Sequence, residues 1–346
     1  MKKVIFSMCL AALAIGCAKT EVQFEQTDLI SFAPVTHNAT KAAVQSGAPG
    51  CNLLVSANAG TAGAEASTYE DLYFDEVTFS GTTEYTAEGY FWPNVKHLSF
   101  AGITQSAGIS PNNVAIDVND NTITVTNYPQ QEVETPNNDL MWFGQTAPAG
   151  KTTNAIPVTL NHACSWIVLN FKGDGTTANS TRPWKITNVT INGLSANETA
   201  TLTDVAVWSE TQANKTKSLV IYNDPHEVGT GINTTFSPNN QNIIVIPQTP
   251  PTTLSVTYNY VSQFGTDGTT ESDDIVIEET ATVDLTYATE TINEEEVSKK
   301  WEAGYKYTYD ITITATGIKI APSASTWIDY DADGDGGNED NIQGTI

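Results

Sequence analysis

The sequence has almost no arginine. Arg182 stands alone, and 15 lysines and arginines face 40 aspartates and glutamates, for a formal net charge of -25. A surface of that sign is repelled by phosphate backbones and anionic lipid, which argues against nucleic acid as a partner. The lack of guanidinium forks also removes the usual bidentate grip on phosphates and carboxylates. Cysteine is scarce, with 4 in 346 residues, and no Cys-x-x-Cys or histidine-rich spacing of a zinc site occurs. No apolar run reaches membrane-spanning length; Val4 to Ile15 falls short of it. Catalytic signatures are missing too. There is no Gly-x-Ser-x-Gly and no phosphate-binding glycine loop, and His37, His97, His162 and His226 are scattered. The acidic clusters Glu294-Glu295-Glu296 and Glu271 to Asp274 read as solvated faces, since a glycosidase pair needs a pocket and a fixed separation. The expectation is a protein that is not an enzyme and has no cofactor.

What is present begins with an address. Lys2 and Lys3 precede the Val4–Ile15 apolar run, as in a signal peptide. The run leads into Leu13-Ala14-Ile15-Gly16-Cys17, which resembles the lipobox at which bacterial lipoproteins are cut and acylated, with Ala14 where leucine is usual. Cys17 is the expected lipid carrier, and residues 1–17 the lipoprotein signal segment; a simple secretory peptide is the plainer reading. Cys9 leaves with that peptide. An exported compartment permits a Cys51–Cys164 disulfide but two isolated cysteines do not demand one, and Cys164 equally fits a small buried hydrophobe.

Hydrophobic residues make up 40% of the chain and charged ones 16%, enough apolar surface for real cores in two domains of ordinary size. Threonine, valine, isoleucine and tyrosine recur in short runs bounded by Gly, Asn, Asp and Pro, the pattern of strands and turns. Thr122 to Thr126, Trp166 to Phe171, Ile186 to Ile191, Leu254 to Tyr260 and Tyr305 to Thr314 are the clearest. In the last, Tyr305, Tyr307, Tyr309, Ile311 and Ile313 share one face and Lys306, Thr308, Asp310 and Thr312 the other. Trp166 to Phe171 is nearly continuous in apolar residues, as in a strand covered on both sides. Glu294 to Trp301 is the one helical candidate, short and charged, and reads better as a turn. An all-β fold of two sandwiches in series is expected, divided near Asn161 into residues 42–160 and 161–346. Residues 18–41 form a separate tether, with a strand around Leu29 to Val35 and a small polar loop after it.

Asp331-Ala332-Asp333-Gly334-Asp335-Gly336 has the carboxylate spacing of a calcium loop. Ile342 stands where an EF-hand needs its bidentate glutamate, so an EF-hand is excluded. Asp331, Asp333 and Asp335 remain a candidate for a looser calcium site, against the plainer reading of a polar acidic turn.

Tyr90-Phe91-Trp92-Pro93 with Leu98-Ser99-Phe100-Ala101 resembles a Tyr-x-Trp-Pro and Leu-x-Phe-x-Ala pattern of the fimbrillin-like proteins. Asp139-Leu140-Met141 and His162-Ala163-Cys164-Ser165 are similar to two further stretches of that family, as are Val245-Ile246-Pro247-Gln248 with Val256-Thr257-Tyr258. Trp301-Glu302-Ala303-Gly304-Tyr305, with Ile318 and Trp327 downstream, is similar to its C-terminal strands. Each motif is weak alone; their shared order along the chain is specific.

The resemblance implies a subunit of type V pili, the outer-membrane fimbriae of gut and oral anaerobes, with two transthyretin-like Greek-key sandwiches. Family members travel as lipoproteins. A trypsin-like surface protease then removes the first strand, and a strand of a neighbouring subunit fills the groove. Carried onto this sequence, the removable strand holds Leu29, Ile30, Phe32 and Val35, and the cut falls between Lys41 and Ala42. The donor comes from Ile318 and Ile320 or from the segment with Ile342 and Ile346. Many fimbrillins are cut after arginine; here Lys19 and Lys41 are the basic residues ahead of the first domain, so either the protease accepts lysine or the subunit is not processed. The implied partners are other pilin subunits, that protease, and the outer membrane before processing. The rival expectation is an unprocessed lipid-anchored surface adhesin or glycan-binding module, with Trp184 or Trp208 stacking on a sugar.

Overall fold

The computed structural model describes residues 29–36, 52–81, 83–105, 109–133, 139–173, 184–223, 226–228, 243–251, 253–263, 275–286, 289–292, 295–298, 300–314 and 317–326. The ordered elements are strands and a few single-turn 3-10 segments. β1 (Leu29–Thr36), β2 (Leu53–Gly60), β3 (Asp71–Gly81), β4 (Tyr85–Phe91), β5 (His97–Thr104), β6 (Val114–Asp117), β7 (Thr122–Pro129), β8 (Met141–Phe143) and β9 (Ile156–His162) come first. Seven of these close into a barrel in the order β1-β4-β3-β2-β5-β8-β9. Alternate side chains of each strand turn inward and fill it, with Phe79, Phe100 and Phe143 among them.

The second group runs β10 (Ser165–Gly173), β11 (Trp184–Leu194), β12 (Asn197–Leu202), β13 (Ala206–Trp208), β14 (Lys217–Tyr222), β15 (His226–Val228), β16 (Ile243–Val245), β17 (Thr253–Gln263), β18 (Ile275–Val283), β19 (Thr289–Ile292), β20 (Glu295–Ser298), β21 (Tyr305–Thr314) and β22 (Gly317–Thr326). The sheet β16-β10-β21-β22 and the sheet β14-β11-β17-β18 enclose a second core. β21 keeps the alternation legible in its sequence. Tyr307, Tyr309, Ile311 and Ile313 are buried, and the first tyrosine of the series, Tyr305, is left exposed at the strand's start.

The sheets change between β9 and β10, but the chain does not stay on one side of that division. β12 and β13 return to pair with β7, giving a mixed sheet β13-β12-β7-β6. This sheet covers the outer face of β2 and β5. The two strands therefore feed separate cores by alternation: Leu53, Val55, Leu98 and Phe100 face into the barrel, and Leu54, Ala101 and Ile103 face out. Ile244 and Ile246, from the second group, complete this third core. The buried Gln130 joins them to the first group. Its Nε2 donates to the Ile244 carbonyl at 2.7 Å and its Oε1 accepts from the Ile246 N–H at 3.0 Å, so one amide side chain does what a neighbouring strand's peptide would.

Glu295 to Ser298, expected as a turn, is instead the second strand of a hairpin with β19. Eight residues are too few to sustain a helix, whereas the preceding strand supplies partners.

Gly102, in β5, marks a close approach in the barrel. A Cβ there would lie 2.6 Å from the Phe143 ring and 2.9 Å from the Leu54 carbonyl oxygen. Gly102→Ala is expected to destabilise the protein by roughly 1–3 kcal/mol through overpacking, read as a lowered urea midpoint; an unchanged midpoint would mean the two strands can move apart.

Candidate functional site

β1 is the one strand of the barrel that enters from outside the contiguous run of the others. It lies between β4, to which it is antiparallel, and β9, to which it is parallel. Ile30 and Phe32 are fully buried. The Phe32 ring meets Phe79 and Phe100 edge-on, with centroids 4.9 and 5.1 Å away, and Phe143 at 6.1 Å. Such pairs add about 0.5–1.5 kcal/mol each beyond area burial.

The hydrogen-bonded seams of β1 are poorer than its burial. Its register to β4 shifts between Leu29 and Ser31. The ladder to β9 pairs Phe32 to Thr36 with Ile156 to Leu160, and it contains two prolines, Pro34 and Pro157, neither of which has an N–H to donate. β1 is held chiefly by its side chains. Without it, β4 and β9 would face each other across a slot walled by Ile156, Val158 and Leu160.

Leu29 is half-buried, and Val35 pairs with Thr159. Ile318 and Ile320 lie on β22, paired with Ile313 and Ile311 of the chain's own β21. Cys17, Lys41, Ala42, Cys51, Ile342 and Ile346 lie outside the described residues, as do Asp331, Asp333 and Asp335. Among the described residues, no group of three His, Cys, Asp or Glu side chains is placed to hold a metal.

Beyond Leu160 the β9 edge runs into an open cleft of about 790 Å³, where His162, Trp142, Trp208, Glu210, Trp301 and Tyr305 are among the lining residues. His162 Nδ1 lies 2.5 Å from Oδ2 of Asp139, which is wholly buried. The pair joins two segments that sequence reasoning treated as separate motifs. Nearby, burial first and Asp139 second push the Cys164 thiol well up, so it stays protonated. The indole N–H groups are engaged in the wall: Trp142 donates to the Thr203 carbonyl at 3.0 Å and Trp208 to the Ala163 carbonyl at 2.6 Å.

Glu210 fastens the returning hairpin to the second group. Its Oε1 accepts from Lys215 Nζ at 2.7 Å and from the Thr249 N–H at 3.0 Å, and its Oε2 from Lys300 Nζ at 2.9 Å. Burial pushes this carboxyl up, but those hydrogen bonds outweigh it and hold it at about 2, below its ordinary 4.5. A folded value below the unfolded one gives stability that is present above about pH 4.5 and lost as pH falls toward 2. Glu210→Gln is expected to cost on the order of 1–3 kcal/mol at pH 7, with the difference from the parent shrinking to near zero by about pH 2, measured by urea unfolding across pH. A penalty that does not change with pH would mean the carboxylate's charge contributes nothing.

Comparison with known proteins gives one match that decides the family. The fimbrillin-like family model matches residues 38–327. No curated protein matches the chain. Among solved structures, one from Bacteroides uniformis assigned to cell adhesion is 16% identical, with 88% of this chain and 100% of that chain covered and a TM-score of 0.49. A fimbrial protein from Bacteroides vulgatus is 13% identical, covering 86% and 99%, with a TM-score of 0.48. The tip fimbrial protein Mfa3 from Porphyromonas gingivalis is 11% identical, covering 86% and 100%, with a TM-score of 0.37. The family match opens just after β1 and runs through the motifs that build the barrel, the cleft and the last strands: the chain belongs to the fimbrillin-like family.

Proposed function

We propose that the protein is a pilus subunit, carried to the cell surface on a lipid at Cys17 and assembled by exchange of β1 for a strand of another subunit. The observation that supports this reading is the position of β1. It closes the barrel through two buried side chains and a ladder thinned by prolines, and only residues 37–52 join it to β2. A cut after Lys41 by a lysine-accepting protease severs that link. The vacated slot then presents unpaired β4 and β9 edges above an apolar floor, and an extended strand restores both ladders. Burying two side chains of the size of Ile30 and Phe32 is worth about 1.5–3 kcal/mol each, and alternate positions along a longer strand add to it.

The donor is better drawn from the segment with Ile342 and Ile346 than from Ile318 and Ile320. The latter belong to a ladder that pairs β21 with β22 over all ten residues of each strand, and donation would first break it. No catalytic step is assigned, since the polar groups of the cleft bind one another and the nearby thiol is held protonated.

Limited trypsin treatment of the purified precursor tests the proposal. The expected product begins at Ala42 and runs as an SDS-resistant ladder, while Lys41→Gln yields no chain beginning at residue 42 and stays monomeric. A processed chain that remains monomeric, or an N-terminus that trypsin leaves intact, would overturn it. A second variant separates the strand's two roles. Phe32→Ala is expected to destabilise the precursor by about 3–5 kcal/mol, yet to leave ladder formation after cleavage unchanged, because Phe32 departs with β1.

A further inference from the structure

The cleft beyond β9 has an unusual wall. Val205, Val207 and Tyr305 all line it and are 62%, 58% and 38% exposed, three of the eight large hydrophobic side chains left exposed among the described residues. Val207 lies on β13, the edge strand of its sheet, and Val205 immediately precedes it. Apolar side chains gathered in one concave place imply something that covers them.

We propose that the occupant is this chain's own segment Trp327-Ile328-Asp329-Tyr330, seated in the cleft in cis. β22 ends at Thr326, whose partner is Tyr305 on the cleft wall. The ladder stops there, because Gly304 turns at φ +73° and donates its N–H to the Cys164 carbonyl, so the chain leaves β22 directly at the cleft wall with Trp327 and Ile328 as its next two residues. The four residues are aromatic or aliphatic apart from Asp329, and they are followed by the acidic Asp331-Ala332-Asp333-Gly334-Asp335. Asp204 and Glu302 stand on the cleft wall, so like charge keeps that acidic stretch out and limits the seated segment to its apolar root.

Tethering favours this occupant over a second copy. With no linker between Thr326 and Trp327, the effective concentration of the segment at the cleft is at least in the millimolar range, far above that of any free partner. Trp327 and Tyr330 each bring about 150–250 Å² of surface to bury. The half-buried Trp208 has its indole N–H already turned into the wall, which leaves ring surface for an apolar guest. The inference does not depend on strand exchange: it concerns the cleft, not the slot, and it stands for an unprocessed chain as well.

The test is a disulfide trap in the full chain. Val207→Cys combined with Ile328→Cys is expected to give, under mild oxidation, an intramolecular bond between the two new cysteines, identified by peptide mapping and insensitive to dilution. Leu72→Cys, exposed on the barrel strand β3 and outside the cleft lining, paired with Ile328→Cys is expected to give none. An intermolecular bond that fades on dilution would assign the cleft to a second copy and overturn the proposal, as would the absence of a Val207–Ile328 bond. Hydrogen exchange gives an independent reading. Ending the chain after Thr326 is expected to speed exchange at residues 205–208 and 301–305 several-fold, with β2 and β5 unchanged as a control on folding; unchanged exchange at the cleft would count against the segment.

Discussion

The structure of the first half depends on a barrel closed by side chains rather than by its ladder. Six of the seven strands follow one another in the chain from Leu53 to His162, with β6 and β7 set aside to the outer sheet. They leave a gap between β4 and β9 that only β1 fills. Pro34 and Pro157 face each other's strand in that seam and withhold two donors where a central strand would ordinarily have them. Phe32 compensates by standing among three phenylalanine rings. Binding of this kind is strong yet poorly specified along the strand direction, because apolar burial is non-directional and backbone pairing is what pins register. A sequence with apolar residues at alternate positions can take the place of β1 without reproducing its hydrogen bonds one for one.

The two halves are bound together by means that do not involve β1. The β12–β13 hairpin crosses from the second group to pair with β7, and Gln130 and Glu210 fix the crossing from both sides, one by neutral amide bonds and the other by two lysines and a backbone N–H. The core under this sheet draws Leu54 and Ile103 from the barrel and Ile244 and Ile246 from the second group. A tandem of independent sandwiches would have a linker here. Instead the chain has a shared core, in which truncating either half strips apolar cover from the other.

Much of this was legible in the residues. Strand composition and the two-residue period identified β7, β10, β11, β17 and β21, and the apolar run at Leu29 to Val35 announced a strand ahead of the first domain. Those are local signals, carried by alternation over a few side chains. The return of residues 197–208 was not legible, because strand pairing is set by contacts between residues some 75 positions apart, as for Ala200 with Val125, and nothing in Asn197 to Leu202 distinguishes one partner edge from another. Asp139 and His162 were visible as two motifs but not as one pair, since only the β8–β9 register brings them together. The cleft was out of reach for the same reason: its walls come from β9, the hairpin and the approach to β21.

The location of the cores bears on the proposed release of β1. Ile30 and Phe32 belong to the barrel core alone; neither contributes to the core between the halves or to that of the second group. Losing β1 therefore exposes part of one core and leaves the other two covered. The β2 and β5 strands, packed on both faces, tie the remaining barrel to the outer sheet through Leu54, Ala101 and Ile103. Under the proposed exchange, the opened barrel would be held from outside, and the free energy gained on filling it would be concentrated at the slot instead of spread through a refolding of the whole chain. A unit whose first strand were threaded through all three cores could not release it without coming apart.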